Sequence, residues 1–157
     1  MIFEILLFIP LLLDGIILNN ISYNSFFIPA LTITTIYIIY PLYKKKERLY
    51  FISIVALGIL YALLHTDLLF FNAILFFIIA IISKYIYKNY TITIYNQIIY
   101  ISAIIICYEI LFAVILFVYR IVPVSFPKII YKISHSLLLN LIYGEILYLL
   151  IPKKQKR

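Results

Sequence analysis

The sequence places four cations within five residues of a chain that is otherwise almost continuously apolar. These cations are Lys44, Lys45, Lys46 and Arg48, here called the basic cluster, and Glu47 lies among them. A Lys or Arg costs roughly 2.5 to 3.5 kcal/mol at the centre of a membrane helix, so the basic cluster must lie in water. Because short loops rich in Lys and Arg stay on the cytoplasmic side, the cluster also predicts which side of the membrane that is.

The composition predicts an all-α polytopic membrane protein with one transmembrane domain. Of 157 residues, 66% are hydrophobic and 12% are charged, and the mean hydropathy is +1.14. Soluble domains carry about 25% charged residues. The net charge of +7 does not indicate a nucleic-acid partner, because the cations lie in short runs beside apolar segments rather than along one basic surface.

Six apolar segments are long enough, or nearly so, to cross a bilayer, and they predict a six-helix bundle. The predicted spans are 2–18, 26–43, 49–64, 68–82, 98–119 and 135–151. Only His65, Thr66 and Asp67 separate the third span from the fourth. One helix through both would be about 50 Å long, against a hydrocarbon core of roughly 30 Å, so we expect a helical hairpin.

The distribution of cations predicts that both termini are cytoplasmic. Ten of the 13 Lys and Arg residues lie in the basic cluster, in the pair Lys84 and Lys88, and in the basic tail 152–157. The tail cations are Lys153, Lys154, Lys156 and Arg157. The other three lie in 120–134, where two prolines interrupt any helix and predict an amphipathic segment at the outer interface. Residues 89–97 predict an interfacial loop, with a short strand at 91–94 as the alternative.

Three acids, Asp14, Glu109 and Glu145, lie within predicted spans. A buried carboxylate is costly, so each is a functional hypothesis, for example in a proton or cation pathway. The structural alternative is a neutral acid, a side chain that reaches the interface, or a hydrogen bond to Ser, Tyr or Asn on a neighbouring helix. We favour the structural alternative because the chain has few other polar groups for a pathway.

No pattern in the sequence indicates catalysis or a cofactor. Cys107 is the single cysteine, which excludes an internal disulfide and a CxxC pair. The His65–Asp67 turn lacks the further ligands that a metal site needs, and Asp67 is better explained as a helix cap. The Ser134-His135-Ser136 sequence has no recognisable nucleophile elbow. We therefore expect a protein that is not an enzyme and binds no cofactor.

Small and amide residues predict where the helices approach one another. Gly15, Gly58 and Gly144 each lie in a predicted span or at its end, where a missing side chain lets another helix come close. Asn140 can both donate and accept a hydrogen bond across a helix interface, which makes it the strongest polar anchor.

Four short motifs resemble the MreD family of bacterial rod-shape-determining membrane proteins. They are Leu12-Leu13-Asp14-Gly15, Gly58-Ile59-Leu60-Tyr61, Asn72-Ala73 and Leu139-Asn140-Leu141-Ile142-Tyr143. Chain length, six predicted spans and cytoplasmic termini are similar too. The family often has an acid four residues after the glycine of the third span, where this chain has Ala62, so a role for that acid does not carry over.

The resemblance implies a non-enzymatic scaffold of the cell-elongation machinery in the bacterial plasma membrane. Such a subunit would bind the single-span protein MreC and, directly or through MreC, the MreB filament and the peptidoglycan synthase with its transpeptidase. A homodimer is compatible with this role. The implied packing or partner-binding residues are Asp14, Gly15, Gly58, Tyr61, Asn72, Asn140 and Tyr143.

The family is also similar in fold to the substrate-binding subunits of energy-coupling-factor vitamin transporters. This similarity supplies the alternative function, a substrate-binding membrane subunit of a micronutrient transporter. A transporter subunit would retain a small molecule, whereas a scaffold would retain proteins.

Overall fold

The computed structural model describes residues 2–20, 30–65, 69–90, 92–119 and 126–151, and the regular structure in these ranges is entirely helical. The helices are α1 (Ile2–Asn20), α2 (Leu31–Ile38), α3 (Tyr40–Tyr43), α4 (Glu47–His65), α5 (Leu69–Asn89), α6 (Ile94–Val118) and α7 (Phe126–Leu150). An apolar helix pairs its own backbone N–H and C=O groups, which is why such sequences form helices in lipid. The predicted all-α class is confirmed.

Within the described residues, four helices are long and apolar enough to cross a membrane by length and composition. Their apolar stretches are Glu47–Leu64, Phe70–Asn89, Ile94–Ile115 and Ile129–Leu150. This pattern indicates a multi-pass α-helical membrane protein. The count of six spans stays a prediction, because the apolar stretch of α1 is the shorter Leu6–Ile17 and α2 has only 8 residues, a length of about 12 Å.

The predicted second span, 26–43, is not one continuous helix. Within residues 30–43, α2 ends at Ile38 and α3 begins at Tyr40. Pro41 explains the break, because its ring would clash with the carbonyl group of Tyr37 and it has no N–H to donate. After the break, Leu42 N–H donates to the Ile39 carbonyl oxygen, three residues back, at 2.9 Å. Residues 26–29 of this predicted span lie outside the described residues.

The short helix α2 is the centre of the bundle. All eight of its residues are buried, and α1, α5, α6 and α7 pack around it. Its sequence is suited to full burial because its threonines can bond to the helix backbone. Thr34 Oγ1 donates to the Ala30 carbonyl oxygen at 3.2 Å, and Thr35 Oγ1 donates to that of Leu31 at 2.8 Å.

Helices α4 and α5 form the hairpin that the short predicted turn requires, although residues 66–68 lie outside the described part. They approach each other closely at Gly58. A Cβ atom there would lie 2.6 Å from the Ala73 Cα and 2.9 Å from the Asn72 carbonyl oxygen. Gly144 of α7 is also tightly packed, with an added Cβ 2.6 Å from Ile101 Cδ1. Gly15 is buried in α1.

Helices α5, α6 and α7 extend beyond the predicted spans by four residues or more. Helix α5 continues to Asn89 rather than ending at 82. Helix α6 begins at Ile94 rather than 98, because Thr93 Oγ1 accepts the Asn96 N–H at 3.3 Å as its N-cap. The described residues 92–97 therefore contain no strand.

Helix α7 begins at Phe126, so residues 126–134 of the predicted interfacial segment continue directly into the predicted sixth span. Pro127 lies in its first turn, where a missing N–H does little harm. Residues 120–125 of the segment, and the tail 152–157, lie outside the described residues.

Candidate functional site

The first turn of α2 lies inside the bundle, where its backbone N–H groups need partners. Ala30, its N-cap residue, makes no side-chain hydrogen bond to cap the helix. Asp14 of α1 supplies the cap instead, accepting from the Leu31 N–H at 3.0 Å, the Thr32 N–H at 2.9 Å and Thr32 Oγ1 at 2.6 Å. The carboxylate is fully buried and lies at the positive end of the helix dipole, which stabilises it.

Asn140 of α7 binds the same end of α2. Its Oδ1 accepts from the Ala30 N–H at 3.1 Å and from Thr34 Oγ1 at 3.4 Å. Its Nδ2 donates to the Ser136 carbonyl oxygen at 2.6 Å and to Ser136 Oγ at 2.9 Å. The amide oxygen therefore reaches across to α2, whereas the amide NH₂ group is bonded within α7. We call Asp14, Thr32, Ser136 and Asn140 the α2 cap.

One turn along α2, Tyr143 adds a further link to α7. Its hydroxyl group lies 2.8 Å from Thr35 Oγ1. Asp14, Asn140 and Tyr143 therefore all contact α2, although they come from the two ends of the chain. Gly144, next to Tyr143, packs against the same helix: a Cβ there would lie 3.0 Å from Thr34 Cγ2.

Glu109 forms an ion pair with Lys132, their Oε2 and Nζ atoms being 2.9 Å apart. The side chain of Glu109 is 3% exposed and that of Lys132 is 37% exposed. Lys132 also lies 4.8 Å from the centre of the Phe112 ring. Our structural alternatives for Glu109 did not include an ion pair. We had placed Lys132 in a separate interfacial segment, whereas the early start of α7 brings it beside α6.

Two buried tyrosines, Tyr61 of α4 and Tyr108 of α6, lie in the interior of the bundle. Tyr61 was expected as a packing residue, whereas Tyr108 was not, because one tyrosine among 16 carries no distinguishing signal.

The remaining predicted residues lie apart from the α2 cap. Asn72 is buried in α5, beside the close approach at Gly58. Glu145 is partly buried on α7 and interacts electrostatically with Tyr148. Ser134 and His135 form hydrogen bonds within α7, where Ser134 Oγ donates to the Tyr131 carbonyl oxygen at 2.9 Å. Thr66 and Asp67 lie outside the described residues.

The opposite end of the bundle contains a cluster of tyrosines that the sequence analysis missed. The ring of Tyr40 lies 5.2 Å from that of Tyr50 and 5.7 Å from that of Tyr87. Tyr40 also donates its hydroxyl proton to Glu47 Oε1 at 2.8 Å. Lys84 Nζ lies 2.6 Å from the other oxygen of Glu47. Two turns connect α3 to α4. The four cations of the basic cluster lie in this connection and at the start of α4, and all four are exposed.

This arrangement is suited to holding helices together rather than to chemistry. Among the described residues, no group of three His, Cys, Asp or Glu side chains could hold a metal ion. The carboxylate and the amide of the α2 cap are bonded to backbone groups of the same chain. No family model matches the sequence, and neither the curated proteins nor the solved structures show significant similarity to it.

Proposed function

We propose that this chain is a non-enzymatic membrane scaffold subunit of the bacterial cell-elongation machinery. The proposal rests on the resemblance to the MreD family. One observation supports it: two motifs of that resemblance, Asp14-Gly15 and Leu139-Asn140, meet at the first turn of α2. Asp14 binds the Leu31 and Thr32 N–H groups, and Asn140 binds the adjacent Ala30 N–H. Motifs separated by more than a hundred residues thus serve one structural feature.

The geometry favours a scaffold over the transporter alternative. A substrate-binding subunit needs a pocket with convergent polar groups, and a helix N-terminus inside a membrane protein is a common site for an anionic substrate. Here the N-terminus of α2 binds the chain's own carboxylate, and Thr32 Oγ1 donates to that carboxylate as well. An anionic substrate would have to displace Asp14 from three hydrogen bonds.

The scaffold would act by binding alone. Its apolar helix faces would hold the single-span helix of MreC through close packing and a few hydrogen bonds. MreB and the synthase with its transpeptidase would join directly or through MreC, at the plasma membrane, with both termini cytoplasmic. The α2 cap would keep the helices in a fixed arrangement, so that the partner meets a rigid surface.

Purification of the tagged chain from its own membranes in mild detergent tests the proposal. Everything that is retained is identified by mass spectrometry, and an unrelated tagged membrane protein of similar size is the control. We expect recovery of a single-span extracytoplasmic protein together with enzymes of wall synthesis. Recovery of ATPase subunits, or of a small molecule in stoichiometric amount, would contradict the proposal and support the transporter alternative.

A further inference from the structure

The outer faces of α4 and α5 form one apolar surface with cations at one end. Arg48 lies in the first turn of α4 and Lys88 in the last turn of α5, and both are exposed. Because the two helices are antiparallel, these cations lie at the same end of the hairpin, which is also the end where the basic cluster is exposed. Glu47, the acid between them, already has Lys84 as its partner.

Exposed apolar side chains continue from each cation along the same face of its helix. On α5 they are Tyr85, Ile81, Phe77 and Ile74, and on α4 they are Ile52, Ile59 and Leu63. Spacings of three and four residues on α5, and of seven and four residues on α4, place each set on one side of its helix. Between the two rows, the rings of Phe51 and Phe77 lie 5.5 Å apart, so the two faces form one surface.

We propose that this surface binds an anionic phospholipid, with its phosphate at Arg48 and Lys88 and its acyl chains along α4 and α5. The row from Tyr85 to Ile74 is about 16 Å long, close to half of a hydrocarbon core of roughly 30 Å, which is the depth of one leaflet. An acidic protein segment would use the cations but not the apolar rows. A lipid uses both.

The backbone of the turn at Lys44, Lys45 and Lys46 is fixed by hydrogen bonds. This favours a defined lipid site over a diffuse attraction of anionic lipids to the basic end. Lys46 N–H donates to the Tyr43 carbonyl oxygen at 2.7 Å, and Tyr50 N–H donates to that of Lys46 at 3.1 Å. Tyr43 and Tyr50 are buried, with ring centres 5.8 Å apart. The turn that carries Lys44, Lys45 and Lys46 is therefore fixed to the interior, and its charge adds to that of Arg48 and Lys88.

Tryptophan quenching by brominated lipids tests this proposal on the full chain, which contains no Trp. Ile81→Trp places a single fluorophore on the proposed surface, and Ile99→Trp places one on an exposed face of α6. Each variant is reconstituted in phosphatidylcholine bilayers that contain brominated phosphatidylglycerol or brominated phosphatidylcholine. The relative association constant of the two lipids is then measured from the quenching in each variant.

In the Ile81→Trp variant we expect phosphatidylglycerol to be preferred about fivefold or more, since each cation near the surface contributes roughly a fivefold gain in affinity for anionic lipid. In the Ile99→Trp variant the ratio should be close to one. Adding Arg48→Gln and Lys88→Gln to the Ile81→Trp variant should lower its ratio about fivefold or more, since two of the nearby cations are lost. Lys153→Gln with Lys154→Gln removes the same charge from the tail and should leave the ratio unchanged.

Equal quenching by both lipids in the Ile81→Trp variant, or a preference that the loss of Arg48 and Lys88 leaves unchanged, would overturn the proposal. So would a preference of the same size in the Ile99→Trp variant, since that would indicate a general attraction to the whole chain. Loss of a bound protein in Arg48→Gln/Lys88→Gln, with unchanged quenching, would assign the cations to a protein partner instead.

Discussion

The two ends of the bundle differ in whether their charged side chains are buried or exposed. At the α2 cap, Asp14 is completely buried and is bonded to backbone N–H groups of another helix. At the other end, Glu47 and Lys84 form a pair whose side chains are 40% and 35% exposed. A buried charge stabilises a fold only where its partners are in place, whereas an exposed pair contributes little. The first end should therefore determine how the helices pack, and the second should determine how the bundle meets the membrane surface.

Removing the carboxylate of the α2 cap should have the largest effect. Asp14→Ala leaves the Leu31 and Thr32 N–H groups without acceptors in an apolar interior, and we expect the free energy of unfolding to fall by about 3 kcal/mol. Asp14→Asn keeps one acceptor oxygen and should lose about half as much. Unfolding in mixed micelles with increasing SDS, followed by circular dichroism, measures both. Equal losses for the two variants would contradict the capping role.

Removing one or the other partner of the ion pair between α6 and α7 should change the free energy of unfolding by unequal amounts. Lys132→Met leaves Glu109 buried without its cation, and we expect a loss of about 2.5 kcal/mol. Glu109→Gln leaves Lys132, which is partly exposed, and should cost less. The double variant, measured in the same SDS titration, should recover part of the loss of Lys132→Met. If Glu109→Gln proves the more damaging change, burial of the acid does not control this pair.

The α4–α5 contact should not tolerate even a methyl group. In Gly58→Ala the new Cβ meets the backbone of Ala73 at 2.6 Å, so a helix must move, and we expect a loss of about 2 kcal/mol. Gly144→Ala is the matched control, because its Cβ meets the flexible end of the Ile101 side chain and should cost about 1 kcal/mol or less. Thermal unfolding in detergent compares them, and a reversed order would count against the packing at Gly58.

Substitution in the exposed pair Glu47 and Lys84 should have the smallest effect on the free energy of unfolding. Glu47→Gln removes the negative charge that pairs with Lys84, at a site where water can solvate the lysine, so we expect a change of no more than about 0.5 kcal/mol in the free energy of unfolding. The SDS titration that detects Asp14→Ala also measures this variant. A loss as large as that of Asp14→Ala would remove the contrast between the two ends.

The sequence predicted the helical class well because length and apolar composition determine it locally. It predicted less well the features that depend on contacts between residues far apart in the sequence. Burial of α2 on all sides is one such case, since its eight residues look like part of a longer span until Pro41 is considered. The Glu109–Lys132 pair depends on where α7 begins, and Lys132 had seemed to belong to a separate segment.

Two residues of the α2 cap, Asp14 and Asn140, were predicted, whereas Thr32, Ser136 and the bonds among them were not. Asp14 and Asn140 stand out because a carboxylate and an amide are rare in apolar helices. Neither the residue types nor their spacing shows that both bind the first turn of α2, because that depends on how α1 and α7 pack around it. The tyrosine cluster was not predicted, because nothing in the sequence distinguishes its members from the rest of the 16 tyrosines.

A double-mutant cycle between Asp14 and Asn140 tests most directly whether two distant motifs form one structural feature. Asp14→Ala, Asn140→Ala and the double variant are compared by the free energy of unfolding in SDS titrations. Because either change releases the first turn of α2, the double variant should lose less than the sum of the single losses, by at least about 1 kcal/mol. Losses that add within about 0.3 kcal/mol would show that the two residues act independently, contrary to this account.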